Sequence, residues 1–146
     1  MIVDCHAHIW ETIGQLGQCA EPWRLRVYSS AARAASGYDL QLAGKPVEVS
    51  FVLGFRSKAL GVDIPNKFIA DYAFQYKDRV LGFGSIDPAH DVVSSEADRI
   101  RQEYRLAGFV ISPGAQGFHP TSTRVLSLYE YAAEHRMPVI VHHGPP

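Results

Sequence analysis

Three residues near the start of the chain have the type and spacing to hold a cation. Asp4, His6 and His8 stand at i, i+2 and i+4 in MIVDCHAHIW, among Ile2, Val3, Ile9 and Trp10, whose side chains favour a strand. Side chains alternate faces along a strand, so simple alternation puts all three polar groups on one side. Two imidazoles about 6–7 Å apart along one face can both reach a cation between them, because Zn–N bonds are about 2.0–2.1 Å. Polar groups on a buried apolar strand cost free energy unless they find partners, and a metal satisfies two imidazoles at once. The competing reading is an edge strand with its histidines in water. Cys5 falls on the opposite face by alternation and reads as a small buried hydrophobe.

The remaining candidates are weaker. His142 and His143 close the last apolar stretch, PVIVHH, and point to opposite faces, so at most one of them joins His6 and His8. Alternation alone does not choose. Trp10 is in phase with the two histidines and is placed either to line a substrate pocket or to pack beneath the segment that follows. Asp4 suits support of a ligand better than direct ligation. Arg56 reads as a solvated loop arginine rather than a partner for a substrate carboxylate. His90, His119 and His135 read as surface residues, and His135 gains from a helix C-terminus without any function.

These side chains need elements to position them. Residues 11–45 form an irregular insertion, punctuated by Gly14, Gly17, Pro22, Gly37 and Gly44, with a short helix expected over Trp23–Ala35. Segments of this length between strands are usually functional loops. Beyond it the pattern is regular. Strands are expected at Val47–Phe55, Val80–Ile86, Gly108–Ile111 and Pro138–His143. Helices are expected at Pro65–Lys77, after an Asp91 cap with Val93, Ala97, Ile100 and Tyr104 as its stripe, and at Thr123–Arg136. Nearly all-apolar strands alternating with helices indicate an α/β protein with a parallel sheet. Neither G-x-G-x-x-G nor a P-loop follows the first strand, which removes the usual signature of a nucleotide-binding sheet. Polar residues collect instead at the C-terminal strand ends, as in a (β/α)8 TIM barrel, here an incomplete one of about the first five β/α units.

Composition narrows the partners. The chain has 146 residues, 47% hydrophobic and 20% charged, with a net charge of -1, which suits one globular domain acting on a small molecule. Nothing in that charge favours nucleic acid or a membrane surface. PVIVHHGPP is too short to span a bilayer. Met1 abuts the first strand without a leader, and Cys5 and Cys19 make no disulfide framework, so a cytoplasmic protein is expected.

MIVDCHAHIW resembles the D-x-H-x-H first strand of the amidohydrolase superfamily. RVLGFGSIDP (79–88), GFVISPGAQGFHP (108–120) and LYEYAAEHRMPVIVHHG (128–144) are similar to its amidohydrolase-related branch of aminocarboxymuconate-semialdehyde decarboxylase-like enzymes and dicarboxylate-lactone hydrolases. The resemblance implies that His6 and His8 are metal ligands and that His142, in P-V-x-x-H-x-G, is the third; His143 stays outside the ligand set. It also implies a divalent cation, usually zinc and in some members manganese. Three imidazoles plus water make an open, catalytic-type site. The activity implied is hydrolysis of a small carboxylate, ester, lactone or amide through a metal-activated water, or non-oxidative decarboxylation at the same site. Val110 and Ser112 stand where many relatives have lysine and histidine, which implies a mononuclear site. The family's acid–base aspartate, on an eighth strand, has no counterpart here, so the catalytic acid–base residue is unassigned. A full barrel takes roughly 250 residues, and residues 1–146 are expected to be the N-terminal portion of one metal-dependent hydrolase-type barrel domain. Two rivals remain. A TatD-like nuclease or phosphoesterase needs further early-strand ligands, which GFVIS does not offer. A catalytically inactive barrel piece would bind partners or form homo-oligomers through its exposed edges.

Overall fold

The computed structural model describes residues 1–20 and 35–143. The helix expected over Trp23–Ala35 lies, Ala35 apart, outside the described residues. The first strand, β1, spans Val3–Ala7 and is followed by a 3₁₀ segment, Ile13–Cys19, and helix α1, Gly37–Ala43. Strand β2 is Val49–Leu53, a small hairpin comprises β3 (Phe55–Ser57) and β4 (Val62–Ile64), and α2 is Asn66–Gln75. Strand β5 (Val80–Ser85) leads to α3 (Val93–Asp98), which runs on as a π turn, Arg99–Glu103. Strand β6 (Gly108–Ile111), α4 (Pro113–Gln116), α5 (Thr123–Glu134) and β7 (Val139–Val141) complete the order.

Five strands pair in parallel in the order β1-β2-β5-β6-β7, each next to its predecessor in the β/α series. The sheet is strongly curled. Four inter-strand steps of about 4.8 Å would hold the outer strands roughly 19 Å apart in a flat sheet. Yet the imidazole of His6, on β1, lies 4.8 Å from that of His142, just past β7. Only a barrel-like closure brings them together, so the five strands form an incomplete (β/α)8 barrel.

Two hydrophobic clusters lie on either side of this sheet. Val52, Phe109 and Ile111 face the helices and pack with Ile69, Ile100, Val125 and Leu128. Leu53, Phe83 and Val110 pack together on the concave side, with Phe51 and Ile140 against them. Of the stripe expected on α3 and its extension, Val93, Ala97 and Ile100 are buried and Tyr104 is half-buried; on α5, Val125, Leu128 and Ala132 are buried, Tyr129 is half-buried and Ala133 is exposed.

Four local expectations are corrected. The stretch 47–55 is not one strand: the sheet pairing ends at Leu53, and Phe55 turns into an antiparallel hairpin with Ile64. Asp91 does not cap α3, whose N-cap is Val92; its carboxylate instead accepts from the Asp87 backbone N–H at 2.9 Å and the Arg56 guanidinium at 3.0 Å. Arg56 is thus no solvated arginine. It is half-buried among Asp63, Asp91 and Glu96. Cys5 is exposed rather than buried, because it lies on an edge strand at a register irregularity.

That irregularity matters for the site. Asp4 pairs with Ser50 but Ala7 pairs with Val52, so β1 carries one residue more than β2 between the two positions. A bulge of this kind breaks strict alternation. Asp4 falls in register with Ser50 and the helix-facing set that includes Val52, while His6 and His8 fall on the concave set. Simple alternation had put all three together.

Candidate metal centre

Ala7 and Ile9 are buried among the helix-facing residues, which turns the intervening His8 and the preceding His6 towards the barrel interior. At the far side of the curl, the His142 backbone N–H donates to the Ile111 carbonyl at 2.8 Å, extending the β6–β7 ladder by one residue. Ile140 packs on the concave cluster, and His142 is in phase with it. The face left open by alternation is therefore decided in favour of His142. His143 is exposed.

His6, His8 and His142 each offer a ring nitrogen, and these nitrogens all lie within 4.8 Å of one another. Nε2 of His6 and Nε2 of His8 are 3.1 Å apart. A tetrahedral zinc site with bonds of 2.0–2.1 Å would set its ligand nitrogens about 3.3 Å apart. The first two histidines are thus already at ligand spacing, and the third is a short approach away. The His8 Nδ1 lies 2.9 Å from the Leu53 carbonyl, so Nδ1–H donates there and the Nε2 lone pair faces the other two rings. Nδ1 of His142 is buried with no hydrogen-bond partner among the described residues. A buried nitrogen with an unused lone pair costs free energy, and a cation would satisfy it.

The electrostatics agree with this. Burial pushes the His8 imidazole down to about 4, and the neighbouring His6 adds to the shift. Burial and His6 also lower His142. Groups held neutral at pH 7 keep the lone pairs that a metal requires. The lowered values of His8 and His142 thus suit a cation in place of a proton.

The other candidates divide. The Asp4 carboxylate accepts the His6 backbone N–H at 3.0 Å, so it braces the bulge beside the His6–His8 pair rather than joining the cluster. Trp10 is buried in the helix-facing core, and its backbone N–H donates to the Ala35 carbonyl at 3.0 Å; it packs under the following segment. Val110 is buried in the concave cluster, and Ser112 is buried with its N–H given to Gln116 Oε1 at 2.7 Å, so neither stands in the histidine cluster. His90 contacts the Asp87 carboxylate at 3.1 Å, His119 contacts Thr121, and His135 packs on Tyr131.

Sequence reasoning missed Phe55 and Gln116. Phe55 lies against two of the three histidines, its ring centroid 6.2 Å from His8 and 6.1 Å from His142. Gln116 is buried and donates to the Arg56 carbonyl at 2.7 Å and the Ile86 carbonyl at 2.8 Å, tying the hairpin to the end of β5. A glutamine in a four-residue helix carries no signal of that role. The aromatic residue just after an apolar strand was visible but indistinguishable from core.

Three histidines thus gather at the C-terminal ends of the outer strands of a curled parallel β/α sheet of barrel type. The amidohydrolase family model matches residues 3–146, and the chain belongs to that family. Solved structures agree in fold. A probable 2-pyrone-4,6-dicarboxylic acid hydrolase of Acinetobacter baumannii, with citric acid bound, superposes with a TM-score of 0.64 at 13% identity, covering 99% of this chain and 50% of that one. A 5-carboxyvanillate decarboxylase of Novosphingobium aromaticivorans, with bound manganese, gives 0.68 at 16% identity over 97% of this chain and 49% of that one. A TIM-barrel protein of Bordetella bronchiseptica gives 0.67 at 17% identity over 99% and 56%. The chain thus spans about half the length of these structures. Curated protein sequences give no match. No helix among the described residues is long and apolar enough to cross a membrane.

Proposed function

We propose that His6, His8 and His142 hold one divalent metal ion, zinc or manganese, and that residues 1–146 are the metal-holding portion of one hydrolase-type barrel domain. The reaction we assign is hydrolysis of a small carboxylate, ester, lactone or amide. The observation that carries this reading is the convergence of three imidazoles from opposite edges of the sheet, with the His142 Nδ1 buried and unpartnered among the described residues. A divalent cation held there would act as a Lewis acid and bring a bound water towards a pKa of roughly 7. The chain's own groups do the rest of the positioning. Leu53 holds His8 in the tautomer that frees Nε2, and Asp4 fixes the backbone at His6. The two unpaired cysteines suit the reducing cytoplasm.

Decarboxylation of a small aromatic or unsaturated carboxylate is the second reading, favoured by the manganese-bearing decarboxylase among the similar structures. Metal analysis of the purified protein tests the site itself. Near-stoichiometric zinc or manganese is expected, with a loss of at least tenfold in affinity for each of His6→Ala, His8→Ala and His142→Ala. Undiminished metal content in the His8 and His142 variants would refute the assignment.

A further inference from the structure

The three histidines are not held in the same way. The His8 ring is fixed by its hydrogen bond to the Leu53 carbonyl, the usual means of orienting a ligating imidazole. His142 has no such bond at Nδ1. What lies along its plane is Phe55. The two rings are stacked, with an interplanar angle of 16° and centroids 6.1 Å apart, within the range of offset aromatic pairs. His6 meets His142 edge-on at 65°, and His8 meets it at 56°, so neither sets the plane of the ring by stacking.

Phe55 is itself held rigidly, although it sits on a three-residue strand. Its hairpin partner is Ile64, which is buried. The next residue, Arg56, donates its backbone N–H to Ser85 Oγ at 3.0 Å and accepts at its carbonyl from Gln116 at 2.7 Å. Ser57, fully buried, donates to the Ala115 carbonyl at 2.7 Å. At the hairpin turn, the Leu60 carbonyl accepts from the Gln18 N–H at 2.8 Å. Contacts from three other segments of the chain thus converge on ten residues. An isolated two-stranded hairpin is marginal in water, so this bracing is what makes a rigid wall of it.

We propose that Phe55 is the positioning residue for His142: its stacked ring does for the third ligand what the Leu53 carbonyl does for His8. The proposal rests on the metal-site reading above. It differs from general packing because it needs an aromatic face at position 55, whereas packing needs only apolar volume.

The test uses Co²⁺ as the probe, with Phe55→Leu and Phe55→Met as apolar replacements and Phe55→Tyr as the aromatic control. Folding of each is checked by circular dichroism, and the second apolar variant covers the case in which the first does not fold. Co²⁺ affinity and the intensity of the visible d–d band are read in titrations. Both apolar variants should bind Co²⁺ on the order of tenfold more weakly, with an altered band, while Phe55→Tyr stays within about twofold of the parent. A folded apolar variant with parental affinity and band overturns the proposal. The carbon-bound imidazole protons of His142, identified by their loss in His142→Asn, are followed by NMR in the metal-free protein. They should shift in Phe55→Leu and hold in Phe55→Tyr; no shift in Phe55→Leu overturns the positioning role. If the parent and His142→Asn both fail to bind Co²⁺, the metal reading fails, and the NMR comparison alone decides the role of Phe55.

Discussion

At His8 the folded protein holds an imidazole far below its ordinary value of 6.5, at about 4, chiefly through burial. The unfolded chain therefore binds more protons than the folded one between those limits, and stability rises with pH across them. The contribution of His8 is fully present above about pH 6.5 and is lost as the pH falls towards 4. His142, lowered in the same direction, adds to it. Thermal denaturation of the metal-free protein should show the midpoint dropping from pH 7 to pH 5, with a smaller drop in His8→Gln; equal slopes would refute the coupling. At this scale the sequence was legible where chemistry is repeated in one dimension. His6 and His8 advertise themselves by spacing, whereas the strand end alone leaves His142 and His143 open and only the resemblance of P-V-x-x-H-x-G selects His142. Phe55 does not, because its partner rings belong to residues 8 and 142 and the contact exists only once the sheet has curled.

The elements were read more surely than their ends. Strand β6 falls where expected, and α2 and α5 differ from expectation only at their ends, since periodicity marks long amphipathic stretches well. Phe55, the first residue of the hairpin, reads in the sequence as the tail of β2, since it follows apolar residues and no turn signal separates them except Gly54, which is itself compatible with a strand. Tertiary hydrogen bonds decide the matter, and those bonds come from Gln116 and Ser85. Gln116 is 1% exposed, and its side chain satisfies the carbonyls of Arg56 and Ile86 and the N–H of Ser112. Gln116→Ala leaves three buried groups without partners and should cost roughly 2–4 kcal/mol, read as a lowered denaturation midpoint. A loss under about 0.5 kcal/mol would mean that water replaces the amide. Gly17 is a second support. Its φ is +49°, and a Cβ there would come within 2.3 Å of the Leu60 carbonyl oxygen, so the 3₁₀ segment could not lie on the hairpin turn with any larger residue.

For the whole molecule, curvature is the quantity that the sequence could not supply. A strand order of β and α units fits an open doubly wound sheet and a barrel equally well; only the missing phosphate loop and the polar strand ends favoured the barrel. The 4.8 Å between the His6 and His142 rings now measures the closure directly. It also means that the two histidines belong to opposite edges of the sheet, His6 on β1 and His142 just past β7. An ion held between them would clasp one edge of the sheet to the other and stabilise the folded form by mass action. At a hundredfold excess over Kd this is about 2.7 kcal/mol, or roughly 5–10 °C for a domain of this size. Thermal scans with added Zn²⁺ and with chelator should differ by that amount, and the difference should vanish in His142→Ala. A metal effect that survives this substitution would place the ion elsewhere.

Because β1 carries one residue more than β2 between Asp4 and Ala7, a deletion at Cys5 and a deletion at Ala7 should act differently on the histidine pair. Deleting Cys5 would let the ladder close up, with His6 opposite Phe51 and Ala7 still opposite Val52, so the pair keeps its inward aim. Deleting Ala7 would make the two histidines neighbours on opposite faces. The first deletion should retain bound metal and the second should abolish it.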